Sequence, residues 1–464
     1  MFVGREAELD ALERAYGRDD FCFAAIYGRR RVGKTTLINE FCKNKKTVYF
    51  MAMESTRKEN LSVLSEQILR ALAPDAPRNP FSSFRDAVAY CFEKAENERI
   101  VLVLDEYPYL AESDRSASSV LQAAIDAHRA GSRLFLILCG SSMSFMERQV
   151  LGYQSPLYGR RTHQFKIFPL DYCACALLFP RFSDEDKITL YGVTGGVPEY
   201  ASRIDPNLSV RDNIRELFFN PFGRLFEEPS NLLKQELRNP QTYSGIIAAI
   251  ASGHSRLNEI ASAAGLETGQ CSNMLSTLIS LGLVKKELPI VEPNPRKGIY
   301  ALSDQMFRFW YRLVMPNLSR IAAGLGDAVC DEVFASRLSA FMGYAFEECA
   351  KQYMWRMLRG NALPVAFRDI GRWWGTNKKE RRAEEIDFIA PGDNAAIFGE
   401  CKWRNAPVGR DALDELMRKS EIPGGFAEKH YFLFSKSGFT PSLAQRAARA
   451  GNVRLVRLKD MFFD

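Results

Sequence analysis

The sequence predicts an α/β chain of several domains, on three observations. Between residues 21 and 170, short apolar runs alternate with amphipathic helical stretches, the pattern of a parallel sheet buried on both faces. From 241 to 312, three short helical patterns lead into a hairpin with Pro, Asn and Gly at its tip. From 336 a long helix leads back into apolar strands. With 464 residues, the chain has room for roughly two to four domains.

Taken in order, the candidate strands of the first region are 21–28, 47–52, 99–107, 133–141 and 162–170. Residues 171–238 read as helical, punctuated by "TGGVPEY" at 194–200. The three-helix region spans 239–312, and 313–335 reads as a helical linker. The last domain, 336–464, has a helix at 336–358 and strands near 365–370, 384–390, 395–402 and 430–435.

Hydrophobic residues are 46% and charged residues 25%, which excludes a disordered or fibrous chain. A net charge of +6 permits a nucleic-acid partner without demanding one. The 10 cysteines have no framework spacing, and the 4 histidines are far apart, so no zinc site is expected. The first residues, "MFVGREAELDALERAYG", are charged and amphipathic rather than a signal peptide. No apolar run approaches ~18 residues. A reduced, cytoplasmic protein without a membrane partner is the expectation.

"GRRRVGKTT" at 28–36 follows an apolar strand and opens a helix. Gly28 and Gly33 let the backbone curl so that its N–H groups face a phosphate. Lys34 supplies a cation to the β and γ oxygens, and Thr35 offers a hydroxyl to Mg²⁺. Arg31, Val32 and Thr36 complete the candidate nucleotide-binding loop. The strand "IVLVLDEY" ends in Asp105, placed to hold Mg²⁺, and Glu106, placed to polarise the attacking water. The next strand ends in Ser141 and Ser142, either of which could sense a γ-phosphate. Arg160 and Arg161 precede another strand; either could stabilise transition-state charge, in cis or from a neighbouring subunit of a homo-oligomer. ATP and Mg²⁺ are the expected cofactors.

"FVGREAEL" (2–9), "GRRRVGKTTLI" (28–38), "LDE" (104–106), "CGSS" (139–142), "YGRR" (158–161) and "TGGVPEY" (194–200) together resemble the archaeal-type P-loop ATPases. These are AAA+-like proteins related to the STAND class and found in archaea and bacteria. The resemblance implies that Phe2 to Arg5 flank the adenine. It also implies that Gly196 and Pro198 belong to a helical lid near the nucleotide.

In the middle region the apolar spacing of Leu257, Ile260, Ala261, Leu275, Leu278, Leu281 and Leu283, followed by the hairpin, spells a winged helix-turn-helix. Its candidate reading helix, Thr268 to Ser280, carries no Lys or Arg and offers only Gln270, Asn273 and serines. The wing tip carries Arg296 and Lys297. Binding to DNA and a purely structural relay both fit this composition.

In the last domain, "EEIDFIAPGDNAAIFGECKW" (384–403) reads as a hairpin of two strands. Alternation puts Glu400 and Lys402 on one face with Phe398, and Glu385, Asp387 and Ile389 on one face of the other strand. Antiparallel pairing brings Asp387 near Glu400. Two carboxylates and a lysine at a strand end suit Mg²⁺-dependent hydrolysis of a phosphodiester, with Glu347 joining from a helix. An ion pair on an exposed strand face is the competing reading.

This arrangement resembles the restriction-endonuclease-like PD-(D/E)xK nucleases. More narrowly, "ELRNPQTY", "ALSDQMFRFWYRLVMPN", "GRWWG", "EEIDFIA" and "GECKW" resemble the C-terminal domain of uncharacterised function that often follows these ATPases. The resemblance implies that Glu347, Asp387, Glu400 and Lys402 form a catalytic set, with "NKKERR" (377–382) contacting phosphates. No Pro precedes Asp387, a departure from the superfamily pattern. Two functions follow as expectations. One is an ATPase whose nucleotide state governs cleavage of DNA or RNA. The other is a regulatory ATPase switch that binds DNA or a partner protein without cutting.

Overall fold

The computed structural model describes residues 2–75, 77, 79–377 and 380–462, and the chain divides into two compact units. The first comprises residues 1–170 and 197–199, the second residues 171–196 and 200–464.

The first unit is a five-stranded sheet: β1 (Cys22–Tyr27), β2 (Thr47–Met51), β3 (Ile100–Asp105), β4 (Leu134–Gly140) and β5 (His163–Lys166). The order is β2-β3-β4-β1-β5, and every pairing is parallel. Alternate residues of β1 serve opposite faces, as the pleat requires. Cys22, Ala24 and Ile26 pack with Leu12, Leu37 and Phe41 from helices Glu6–Tyr16 and Lys34–Cys42. Phe23, Ala25 and Tyr27 pack with Leu64, Val88 and Leu121 from three helices on the other side. The expected strands are all present, with β5 shorter than 162–170.

In the second unit, helices Pro240–Ala251, Leu257–Ala263 and Thr268–Ser280 are followed by the antiparallel ribbon β6 (Val284–Glu287) and β7 (Ile299–Leu302). After a helical stretch come helix Leu338–Arg359 and a second sheet. Its strands are β8 (Gly371–Asn377), β9 (Arg382–Pro391), β10 (Ala395–Lys402), β11 (Glu428–Ser435) and β12 (Val453–Arg457), in the order β12-β11-β10-β9-β8. The three strands β8, β9 and β10 pair antiparallel, whereas β10, β11 and β12 pair parallel. Helices Arg410–Lys419 and Pro441–Ala450 cover one face through Leu413, Leu416 and Leu443. Tyr353 of helix Leu338–Arg359 meets Phe434, which alternation puts on the other face.

Three expectations need correction. No strand forms at 365–370. There Asp369 accepts the Ile370 N–H through its own side chain, a local bond that competes with a ladder, and the strand begins at Gly371. Strand β12 was not anticipated. The alternation of Glu385, Asp387 and Ile389 is broken by a β-bulge. Gly371 pairs with Ile389 and Trp373 with Ile386, so Asp387 and Phe388 together oppose Arg372. Ile386 and Ile389 thereby enter the same core, and Asp387 is re-aimed. Of the stretch 377–382, Lys378 and Lys379 lie outside the described residues.

Candidate functional site

The loop after β1 is held by its glycines. A Cβ on Gly28 would stand 2.3 Å from the Ile167 carbonyl oxygen, and Gly33 takes φ +92° at the start of helix Lys34–Cys42. Arg31 is also left-handed, at φ +70°, a strained conformation for a residue with a side chain. The Lys34 ammonium, buried, donates to the Gly28 and Arg29 carbonyls at 2.8 and 2.9 Å. Val32 is fully buried, and its carbonyl accepts from the buried Arg5 guanidinium at 3.0 Å. Arg5 also donates to the Phe168 carbonyl, so the "GRE" segment anchors the loop from beneath. Pro198 lies 3.7 Å from where a Gly33 Cβ would stand.

At the end of β3, Asp105 is buried and both of its oxygens are occupied. Oδ1 accepts the Glu106 N–H at 2.9 Å. Oδ2 accepts from Thr35 Oγ1 at 3.2 Å and from the Tyr49 hydroxyl at 2.5 Å. Glu106 has φ +49°, and its Oε2 accepts from Ser141 Oγ at 2.8 Å. The structure thus brings Lys34, Thr35, Asp105, Glu106 and Ser141 together at the carboxyl ends of the parallel strands, where open α/β sheets bind ligands. Ser142 begins the following short helix, and Thr36 lies within helix Lys34–Cys42. Arg160 is engaged elsewhere. It grips Asp126 through two bonds, at 2.8 and 2.6 Å, and this pairing holds the Arg160 pKa above its usual value. Arg161 donates to the Leu151 carbonyl at 3.0 Å.

In the second unit, Glu400 and Lys402 form the ion pair that their spacing allows. The face is not exposed, however: Glu400 is only 7% accessible. Asp387 Oδ2 accepts the Cys401 N–H at 2.7 Å across the β9/β10 pairing. Gly399 is required opposite Phe388, because a Cβ there would stand 2.0 Å from the ring.

Burial, then Glu400 and Glu347, push Asp387 well above the carboxylate range. Burial pushes Glu347 up to about 7, against the pull of Arg372 and Lys351. Burial disfavours the Lys402 ammonium, yet Glu400 and Asp387 outweigh it and hold its pKa above the usual value. Glu347, Asp387, Glu400 and Lys402 therefore share one electrostatic environment.

Two carboxylate oxygens there, Glu347 Oε2 and Glu400 Oε2, are buried without a hydrogen-bond partner among the described residues. Glu347, Asp387 and Glu400 stand among the charges of Lys402, Lys351 and Arg372, and the two unpartnered hard oxygens suit a divalent cation. Among the described residues, no three His, Cys, Asp or Glu side chains stand grouped as a ready metal site.

An ion chain that sequence reasoning missed adjoins this cluster. Lys351 and Lys285 both donate to Glu348, at 2.5 and 3.0 Å, and Lys285 also bonds Glu287 at 2.7 Å. Arg372 then bridges Glu287, at 3.4 Å, and Glu385. Burial opposes ionisation of Glu348, but the two lysines outweigh it and hold its pKa far below the usual range. The chain ties ribbon β6 to helix Leu338–Arg359 and to β8 and β9. The Ile290 N–H donates to the Arg372 carbonyl at 3.1 Å and Trp374 Nε1 to the Lys297 carbonyl at 3.3 Å, docking the ribbon on the edge of the sheet. No local motif announces such contacts.

No helix of the structure is long and apolar enough to cross a membrane among the described residues. Residues 2–204 match a family described as an ATPase domain predominantly from Archaea. Residues 310–416 match one described as archaeal and bacterial proteins of unknown function. An uncharacterised protein of Methanocaldococcus jannaschii is 33% identical over 94% of this chain and 96% of its own length. An uncharacterised ATP-binding protein of the same organism is 52% identical over 46 residues, 10% of this chain and 78% of that protein. Among solved structures, a Walker-type ATPase of Pyrococcus abyssi superposes with a TM-score of 0.52 at 19% identity, covering 66% of this chain and 95% of that one; this likeness speaks for the fold. The chain is an ATPase with the nucleotide-binding sheet of P-loop proteins, and it belongs to the archaeal-type ATPase family in which that domain precedes a C-terminal domain of unknown function.

Proposed function

We propose that nucleotide binding and hydrolysis in the first unit govern a metal-dependent phosphodiesterase site in the second, acting on nucleic acid. The observation that carries the reading is the pair of buried, unpartnered oxygens, Glu347 Oε2 and Glu400 Oε2, on two carboxylates whose charges both act on Asp387. Glu347, Asp387 and Glu400 would hold Mg²⁺. The ion, when bound, would lower the pKa of a water and offset charge on the phosphate. Lys402, held charged by Glu400 and Asp387, would orient an attacking water or steady the developing charge.

In the ATPase site, the loop from Gly28 to Thr36 cradles the phosphates. Lys34 would exchange its two loop carbonyls for the β and γ oxygens, and Thr35 and Asp105 would hold the nucleotide's Mg²⁺. Glu106 polarises the attacking water, with Ser141, its present partner, and Ser142 facing the γ-phosphate. Arg160 would have to leave Asp126 to stabilise charge on a nucleotide, its own or a neighbouring subunit's.

We assign the coupling to helix Leu338–Arg359. Residues 171–196 lie inside the stretch matched to the ATPase family, yet they are part of the second unit. Gln352 accepts the Tyr172 N–H at 2.9 Å and donates to the Tyr191 hydroxyl at 2.8 Å. Gly192 approaches so closely that a Cβ would stand 2.8 Å from Met342 Sδ. Glu347 is carried by this helix, whereas Asp387 and Glu400 are carried by the sheet. A small slide of the helix would therefore change their grouping, as interhelical shifts do in other switches.

We read the three helices and ribbon as a winged helix serving as a relay. Its ribbon is docked on β8, and helix Thr268–Ser280 has no basic residue, although Arg296 and Lys297 remain exposed for a nucleic-acid backbone. The second reading, a switch that binds DNA or a protein without cutting, is favoured by the lack of a ready metal grouping among the described residues. A Mg²⁺ or Mn²⁺ cleavage assay on single- and double-stranded substrates, with Glu400→Ala as control, separates the two.

A further inference from the structure

We propose that Tyr49 is a positioning residue for ATP hydrolysis: its phenol, reaching from the edge strand, fixes the carboxylate of Asp105 for the cation that accompanies the nucleotide. The inference rests on reading Asp105 as the carboxylate that serves this cation.

The geometry is specific. Strand β2 lies at the edge of the sheet and pairs in parallel with β3, with Met51 opposite Asp105 and Tyr49 opposite Val103. The side chain nearest to Asp105 by register thus belongs to Met51, which is exposed. The contact is made from two residues back, across the diagonal that a long aromatic side chain spans. The Tyr49 ring packs on the face of the sheet that carries helix Lys34–Cys42, and its hydroxyl donates to Asp105 Oδ2 at 2.5 Å.

Oδ2 has a second donor, Thr35 Oγ1, at 3.2 Å, and Oδ1 has the Glu106 N–H. These three donors come from β2, from the first turn of the helix and from the backbone after β3. The Thr35 hydroxyl is the one whose oxygen must turn to the cation, which leaves Tyr49 as the side-chain donor that continues to hold Oδ2. An ordinary phenol is protonated at neutral pH, so Tyr49 stays a donor there. Outer partners of this kind orient a ligand, and their loss typically lowers metal affinity or activity about 10–100-fold.

The test is Tyr49→Phe in the full chain, which keeps the ring and its packing and removes the hydroxyl. Binding of a fluorescent ATP analogue is measured with and without Mg²⁺, beside turnover across a Mg²⁺ titration. The expected result is unchanged affinity without Mg²⁺, a half-saturating Mg²⁺ concentration raised about tenfold, a kcat lowered to a similar degree, and an unchanged KM for ATP at saturating Mg²⁺. A variant that follows wild type through the Mg²⁺ titration overturns the proposal. So does a raised KM for ATP at unaltered Mg²⁺ dependence, which marks general damage. Asp105→Asn, run in parallel, separates the two levels. Full turnover in that variant refutes the role of Asp105 itself, whereas a dead Asp105→Asn beside a wild-type-like Tyr49→Phe refutes only the role of Tyr49.

Discussion

Gln352 donates a hydrogen bond to the Tyr191 hydroxyl at 2.8 Å. The same side chain accepts the Tyr172 N–H, so one residue of helix Leu338–Arg359 fastens two points of the 171–196 segment. Replacing it with Leu leaves a backbone N–H and a buried hydroxyl without this partner, at a cost of about 1–3 kcal/mol each. Gln352→Leu is expected to keep ATP turnover. It is also expected to lose any nucleotide-dependent change in hydrogen exchange along 338–359. A variant whose helix still responds to nucleotide as wild type does would remove Gln352 from the coupling.

The phosphate loop predicts two distinct defects. Lys34→Ala removes the cation aimed at the phosphates and should weaken both binding and turnover. Glu106→Gln keeps the Ser141 contact sterically but removes the base. It should bind ATP normally and turn over about a hundredfold or more slowly. Equal defects in binding for the two variants, measured by equilibrium titration, would contradict these roles.

Gly399 tests the packing beneath the carboxylate cluster. An added methyl would enter the Phe388 ring, which is backed by Phe434 with centroids 5.8 Å apart. Gly399→Ala should lower the stability of the second unit by about 1–3 kcal/mol. Tryptophan fluorescence follows this unit selectively, because all five tryptophans lie at or beyond position 310. An unaltered denaturation midpoint would mean that the ring moves aside freely.

Glu347 predicts a pH dependence of the metal-free protein. Its folded pKa of about 7 lies above the ordinary 4.5. Between these values the folded state binds more protons than the unfolded state. Stability therefore falls as pH rises from about 4.5 to 7, and this group adds no further slope above that. Glu347→Gln should flatten that part of the profile, leaving a residue of the same sign from Asp387. An unchanged slope in urea titrations with chelator present would contradict the assignment.

The parts of the account that were legible in the sequence are those set by local pattern. The strand–loop–helix around Gly28 to Thr36, and the carboxylates closing β3, follow from glycine geometry and apolar runs. Glu400 and Lys402 share a face because strands alternate. The parts that were not legible are set between elements. The bulge at Asp387 and Phe388 comes from the pairing of β9 with β8 and leaves no mark in β9 alone. Tyr49 looked like one more apolar strand residue, because its partner lies 56 positions further on. The ion chain from Lys351 to Glu385 joins helix, ribbon and sheet through ordinary surface-type residues. Residues 171–238 read as one helical stretch following the nucleotide-binding sheet, and 171–196 pack within the second unit.

The most direct test of the central claim is cleavage of labelled single- and double-stranded DNA and RNA in Mg²⁺ or Mn²⁺, with and without ATP, comparing wild type with Glu400→Ala and Lys402→Ala. Wild type is expected to show metal-dependent cleavage that changes with nucleotide, and both variants to lose it about a hundredfold or more while ATP turnover persists. Cleavage by the two variants at the wild-type rate, or no cleavage by wild type under any nucleotide condition, would contradict it.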